Sequence, residues 1–187
     1  MMMNCLSHAG LEAAYDLERS NRMNSRWGDN SYKPNASGFF ELSRQDIRRG
    51  DFPRQYDGKL IKCLIGGLER LAPLKDGYRI VLMRRDPEEI KQSYDAFFGR
   101  VGRAVEWFAD NLDSLIEKET ERLLNRRDVL CVDCFNYRSV VEDPVKHFWI
   151  LASHGWPIDP EVAASRVDTK QCRFRIESLV AGAYQCV

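Results

Sequence analysis

The chain has 187 residues, the size of a single domain with one substantial core. Its 28 basic and 28 acidic side chains balance, so no overall field draws it to nucleic acid or to an acidic membrane surface, and we expect neither as a partner. No apolar run approaches the length of a membrane span, and the N-terminus does not resemble a secretory signal. We therefore expect a soluble cytoplasmic protein whose six cysteines are reduced.

Two different patterns occupy the first forty residues. Residues 1–14 have helical composition but no capping residue before them. Residues 16–40 are rich in Asn, Ser, Gly and Arg without a regular period, which predicts a long loop. Loops of this length in compact domains often serve as functional lids.

Three apolar runs have the composition of buried strands: residues 59–65 (KLIKCLI), 78–83 (YRIVLM) and 129–134 (VLCVDC). Near-continuous apolar runs that alternate with helical patterns predict parallel strands buried on both faces. We therefore predict an α/β fold with a parallel sheet and flanking helices, although three strands are few for such a sheet.

Two helices are predicted from apolar spacing. A long amphipathic helix between the second and third runs is indicated by Val105, Phe108, Leu112, Leu115, Ile116 and Leu123. A shorter helix after the third run is indicated by Val145, Phe148, Trp149 and Ala152.

A strongly specified helix start follows the second apolar run. Asp86 can serve as its N-cap, Pro87 fits the first helical position, and Glu89 can close a capping box. In the first interpretation this segment only caps a helix, and the neighbouring Arg85 is a solvated surface charge.

A second interpretation makes the same junction a phosphate site. Ligands of open parallel sheets bind beyond the carboxyl ends of the strands, where Arg85 stands. Ser93 follows eight residues later, so a guanidinium and a hydroxyl could hold one phosphate from two sides.

Arg85-Asp86-Pro87 followed by Ser93 resembles the 3′-phosphate-binding signature of P-loop sulfotransferases, which use 3′-phosphoadenosine 5′-phosphosulfate (PAPS). Further segments are similar to that family in the same order along the chain: the methionine run at residues 1–3, GFFEL at 38–42, KLIKCL at 59–64, the strand that begins at Val129, VEDP at 141–144, and Val167-Asp168 before Arg173 and Arg175. The resemblance implies a P-loop NTPase-like sheet and transfer of a sulfuryl group from PAPS to a hydroxyl or amine. It implies a small-molecule, sugar or peptide acceptor, and no metal.

The chain departs from the family at its start, because neither the family's first strand nor its glycine-rich phosphate loop is present. The resemblance therefore implies one sulfotransferase-like domain over residues 1–187 that is truncated at its N-terminus. Either the reading frame begins upstream, or the chain is a shortened remnant. The alternative function is accordingly a non-catalytic nucleotide-binding or structural remnant of that fold, and an ATP-dependent kinase relative is disfavoured because no acidic residue is clearly placed to hold magnesium.

The resemblance also implies catalytic residues. Lys62 matches the lysine beside the transferring group, but Leu64 stands where the family has a histidine base. Other branches use a glutamate, which makes Glu41 of GFFEL the candidate base.

Three more residues are candidates for cofactor binding by the same resemblance. The aromatic residue that approaches the adenine is Tyr137 when counted back from Asp143-Pro144, whereas the forward count from the strand selects Cys134. Arg173 and Arg175 could fold over the 3′-phosphate, or they are solvated.

The histidines and the C-x-x-C pair point to packing rather than to a metal. His8, His147 and His154 lack metal-ligand spacing and are interpreted as helix-surface or packed residues. Cys131 and Cys134 differ by an odd offset on a predicted strand, so their thiols should point to opposite faces.

Overall fold

The computed structural model describes residues 1–14 and 54–168, apart from the side chains of Gln55, Phe97 and Phe98. It contains two strands, β1 (Tyr78–Arg84) and β2 (Val129–Asn136), and two 3₁₀ turns, Arg54–Tyr56 and Ile65–Arg70. The helices of this part of the chain are α1 (Met2–His8), α2 (Pro87–Phe98), α3 (Arg103–Asp110), α4 (Leu112–Leu124), α5 (Tyr137–Glu142), α6 (Pro144–Ser153) and α7 (Pro160–Ser165). The predicted loop at residues 16–40 lies outside the described residues.

The strands β1 and β2 pair directly and in parallel, which confirms the α/β class and two of the three predicted strands. Tyr78 is opposite Val129 but Arg79 is opposite Cys131, so Leu130 is an extra residue that bulges from the ladder. Gly77 allows this bulge, since it has a φ of +75° and an added Cβ would lie 2.8 Å from the Leu130 side chain. Both strands end at the same edge of the sheet, with no strand between them.

The predicted strand at residues 59–65 is wrong. Only Leu60 pairs there, in a parallel bridge with Ala13: its N–H donates to the Glu12 carbonyl at 2.8 Å, and its carbonyl accepts from Ala14 N–H at 2.9 Å. Ile65 already begins a 3₁₀ turn, and the Leu64 side chain is exposed. A strand needs a backbone partner along its length, and within residues 1–14 and 54–168 this segment has one at a single position.

Two helix predictions also need correction. The pattern at residues 105–123 forms two helices, α3 and α4, because the chain turns at Asn111, whose side-chain amide donates to the Trp107 carbonyl. The predicted helix at residues 1–14 ends at His8 and is followed by Gly10, whose φ is +115°. The shorter helix predicted after the third run is confirmed as α6. None of the helices in the described part of the chain is long and apolar enough to cross a membrane.

A core lies on each face of the sheet. The α2–α4 core contains Tyr78, Ile80 and Leu82 of β1 with Ile90, Ala109, Leu112, Ile116 and Leu123 of the helices. The α5–α7 core contains Phe135 of β2 with Cys5, Leu6, Val140, Phe148, Leu151, Trp156 and Ala163. Burial on both faces explains why both strands read as near-continuous apolar runs.

Candidate functional site

The carboxyl edge of the sheet brings together two residues that were predicted to bind the cofactor. Arg85 directly follows β1, and Tyr137 directly follows β2 as the first residue of α5. Because Arg84 and Asn136 are paired in the ladder, the next residue on each strand lies beside the other. The Arg85 guanidinium carbon is 5.5 Å from the centre of the Tyr137 ring, a cation–π contact. Tyr137, which was selected by counting back from Asp143-Pro144, is therefore the residue that lies beside Arg85.

The start of α2 follows the predicted capping chemistry. The Asp86 carboxylate accepts from the N–H groups of Glu88 and Glu89 at 2.8 and 3.3 Å, with Pro87 at the first helical position. These contacts fix the direction in which α2 leaves the edge of the sheet. The first turn therefore holds Glu89 next to Arg85.

Glu89 neutralises Arg85 rather than closing the predicted capping box. Its carboxylate accepts from the Arg85 Nε at 3.3 Å, and its side chain is 5% exposed against 30% for Arg85. The interpretation of Arg85 as a solvated surface charge is thus wrong. An anion that binds this guanidinium must share it with Glu89 or displace that carboxylate.

Ser93 lies on α2 one turn beyond Glu89 and is half-buried. Side chains four residues apart are neighbours on one face of a helix. Glu89 and Ser93 therefore lie in a row along one face of α2. Glu89 is four residues from Arg85 in sequence, and Ser93 is eight.

Arg84 does not join Arg85 at the edge. Its side chain turns to α4, where its Nε lies 3.7 Å from an Asp113 oxygen and its Nη2 lies 4.0 Å from a Glu117 oxygen. The Nε is buried and lacks a hydrogen-bond partner among the described residues. The charge of Arg84 is therefore balanced by α4.

The predicted catalytic lysine lies in an irregular segment rather than on a strand. Lys62 is half-buried between the Leu60 bridge and the 3₁₀ turn. Burial lowers the pKa of the Met1 amino group, and the nearby Lys62 ammonium lowers it further. The Lys62 ammonium therefore interacts electrostatically with the Met1 amino group, which directly precedes α1. Glu41, Arg173 and Arg175 lie outside the described residues.

The two cysteines of the C-x-x-C pair point to opposite faces, as predicted. Cys131 packs against the α5–α7 core, whereas Cys134 packs against the α2–α4 core. In the ranges that the structure describes, no three His, Cys, Asp or Glu side chains form a group that could hold a metal ion.

A buried carboxylate cluster on β2 was missed by the sequence reasoning. The Asp133 side chain is 2% exposed, and its two oxygens contact His154 Nδ1 at 2.6 Å and Trp156 Nε1 at 3.1 Å. Burial, and then the Asp133 charge, raises the pKa of the neighbouring Cys131 thiol, which makes it a weak nucleophile. The available signal was an aspartate inside an otherwise apolar strand, since a buried charge requires partners.

Comparison of the chain with protein-family models, with curated proteins and with solved structures finds no match. The resemblance to sulfotransferases therefore depends on the quoted sequence motifs alone.

Proposed function

We propose that this chain is a sulfotransferase-like protein that binds PAPS at the carboxyl edge of the sheet and transfers its sulfuryl group to a hydroxyl or amine. The observation that carries the proposal is the Arg85 guanidinium against the Tyr137 ring, at the edge where parallel sheets bind ligands. Arg85 and Ser93 would hold the 3′-phosphate, and Tyr137 would border the adenine.

The ion-pair geometry of Arg85 is compatible with a phosphate ligand. Glu89 contacts the guanidinium through Nε at 3.3 Å, and among the described residues no other carboxylate forms an ion pair with Arg85. Two parallel N–H groups are the arrangement that binds phosphate oxygens in pairs. The half-buried position strengthens such bonds relative to bulk water.

In the proposed reaction the acceptor oxygen or nitrogen attacks the sulfur of PAPS. The bond from that sulfur to the 5′-phosphate oxygen breaks, the acceptor's proton passes to the candidate base Glu41, and adenosine 3′,5′-bisphosphate leaves. Lys62 would stabilise the charge on the transferring oxygens. Its electrostatic interaction with the Met1 amino group, which precedes α1, supports this role, because in the resembling family that helix follows the phosphate loop.

A second candidate is a non-catalytic nucleotide-binding or structural protein of the same fold. Two observations favour it: Glu89 already neutralises Arg85, and Lys62 lies outside any strand. Detection of adenosine 3′,5′-bisphosphate release separates the two candidates, since a binding protein retains PAPS without cleaving it.

Substitution of Arg85 by alanine is expected to weaken binding of adenosine 3′,5′-bisphosphate by at least about tenfold, measured by isothermal titration calorimetry. The loss of one or two charge-assisted hydrogen bonds, at about 1.5–3 kcal/mol each, supports this magnitude. Arg127→Ala is the matched control, because Arg127 is an exposed arginine that precedes β2, at the opposite edge of the sheet. Equal affinities for the wild type and Arg85→Ala would remove Arg85 from the site.

Replacement of Glu89 by glutamine is expected to change affinity in the opposite direction. The variant removes the carboxylate that competes for Arg85, so the same titration should show a severalfold lower dissociation constant. It also removes a negative charge from the first turn of α2, which should lower the free energy of unfolding by about 0.3–1 kcal/mol. A weaker affinity in Glu89→Gln would show that Glu89 orients Arg85 for the anion instead of competing with it.

A further inference from the structure

A serine and a histidine lie in contact at the same edge of the sheet, in a position that the proposed transfer does not use. Ser139 is the third residue of α5, two residues after Tyr137, and its Oγ lies 3.2 Å from Nε2 of His147 on α6. Both side chains are half-buried, so they remain accessible to a small reagent.

The backbone sets the tautomer of His147. Nδ1 lies 2.7 Å from the Asp143 carbonyl oxygen, which can only accept, so Nδ1 carries a hydrogen. The neutral ring consequently presents its lone pair at Nε2, toward Ser139. Phe135 packs against the ring edge to face, at 4.9 Å between centres and 87° between planes, and holds its orientation.

The Ser139 hydroxyl has two acceptors within reach. Its Oγ lies 2.8 Å from the Asn136 carbonyl and 3.2 Å from His147 Nε2. Rotation about one C–O bond moves the hydrogen from the first to the second. The hydrogen bond from Ser139 to the Asn136 carbonyl is not specific to this serine, because Ser153 and Ser165 also donate to a carbonyl three residues back, at 2.7 and 2.8 Å. The histidine distinguishes Ser139 from these two serines.

We propose that Ser139 and His147 form a nucleophile–base pair, and that Ser139 reacts with electrophiles in which a tetrahedral phosphorus or sulfur carries a good leaving group. A nucleophile in contact with a base that a third group orients is the arrangement that activates serine. This reactivity does not depend on PAPS.

The reaction with an alkyl fluorophosphonate makes the step explicit. Ser139 Oγ attacks phosphorus, the P–F bond breaks, and fluoride leaves with the bonding electron pair. His147 Nε2 takes the hydroxyl proton and then releases it to water. The product is a serine phosphonate ester, whose mass is that of the protein plus the reagent less hydrogen fluoride.

The test is labelling of the full chain with the fluorophosphonate, followed by intact mass measurement and peptide mapping. We expect one adduct on Ser139 that is absent from Ser139→Ala and retained in Ser165→Ala. His147→Ala should label at least about 100-fold more slowly, in keeping with general-base catalysis, and added imidazole should restore the rate. Restoration by imidazole separates a chemical role from a packing role.

Three results would contradict the assignment of Ser139 and His147 as a nucleophile–base pair. They are an unlabelled wild type, an adduct on another residue only, and labelling of His147→Ala at the wild-type rate. His147→Gln, which keeps a polar side chain of similar length, covers the case in which His147→Ala fails to fold, and it should also label slowly. Nucleotide titration of the wild type distinguishes the two proposals. Labelling without nucleotide binding retains the Ser139 assignment and rejects PAPS binding. Nucleotide binding without labelling retains PAPS binding and rejects the Ser139 assignment.

Discussion

Replacement of Asp133 by alanine is expected to lower the free energy of unfolding by about 2–4 kcal/mol. The variant removes two hydrogen bonds to a buried carboxylate, each worth about 1.5–3 kcal/mol, and leaves the Trp156 indole N–H buried without its acceptor. His154 can bond to water instead, because its side chain is 49% exposed, and this recovery limits the loss. Urea denaturation followed by circular dichroism measures the effect.

Two variants serve as comparisons for Asp133→Ala. Asp76→Ala changes an exposed aspartate and should stay within about 0.5 kcal/mol of the wild type. His154→Ala should cost less than Asp133→Ala, since the half-exposed histidine contributes one of the two bonds. If Asp133→Ala is as stable as Asp76→Ala, the cluster does not hold the α6–α7 connection to β2.

The second large effect is expected at Asp128, at the amino edge of the sheet. Arg126 donates to both Asp128 oxygens, from Nε at 2.9 Å and from Nη2 at 2.7 Å, and its Nη1 donates to the Leu71 carbonyl at 2.9 Å. The Leu74 N–H also donates to Asp128, and the guanidinium lies over the Tyr78 ring. These contacts tie the segment before β1 to the start of β2, and Asp128→Asn is expected to lower stability by about 2–3 kcal/mol near neutral pH.

The Asp128 contribution should depend on pH in a defined direction. The hydrogen bonds from Arg126 hold the pKa of Asp128 below its usual range in the folded protein. A depressed folded pKa means that the stabilisation is fully present above about pH 4 and is lost as the pH falls through the folded value. Urea denaturation between about pH 7 and pH 2 should therefore show a shallower loss of stability below pH 4 for Asp128→Asn than for the wild type. Asp76→Ala should keep the wild-type slope, and parallel curves for Asp128→Asn and the wild type would contradict the assignment.

Tyr78 is a spectroscopic probe of the same cluster. Burial raises the pKa of its phenol to about 12, although the Arg126 charge acts in the opposite direction. The hydroxyl also donates to the Ala72 carbonyl, which favours the neutral form. Loss of the Arg126–Asp128 contacts should therefore be visible as an altered tyrosine titration as well as lower stability.

The parts of the fold that local chemistry specifies were predictable. Asp86 and Pro87 define the start of α2 because a cap acts within three residues. The strands β1 and β2 were predictable because both of their faces are apolar, and the opposite orientation of Cys131 and Cys134 follows from the pleat alone. The apolar run at residues 59–65 has the same composition and is not a strand, since composition does not supply a backbone partner.

Part of the candidate site was also predictable from sequence, and part depended on the tertiary structure. The rule that ligands lie at the carboxyl ends of strands selected Arg85 from sequence, and the pairing of β1 with β2 then placed Tyr137 beside it. Glu89 was expected to bond the backbone of the N-cap, but the guanidinium one turn away is a stronger partner. Sequence spacing could not choose between these two partners, because both lie within one helical turn.

The sequence by itself determined the α/β class, the strands β1 and β2 and the capped start of α2, because each depends on apolar periodicity or on contacts within a few residues. Tertiary structure alone decided the contact of Arg85 with Tyr137, the burial of Asp133 between His154 and Trp156, and the approach of His147 to Ser139. These pairs join separate secondary elements. Their distances are set by how the helices pack on the sheet, which no local pattern records.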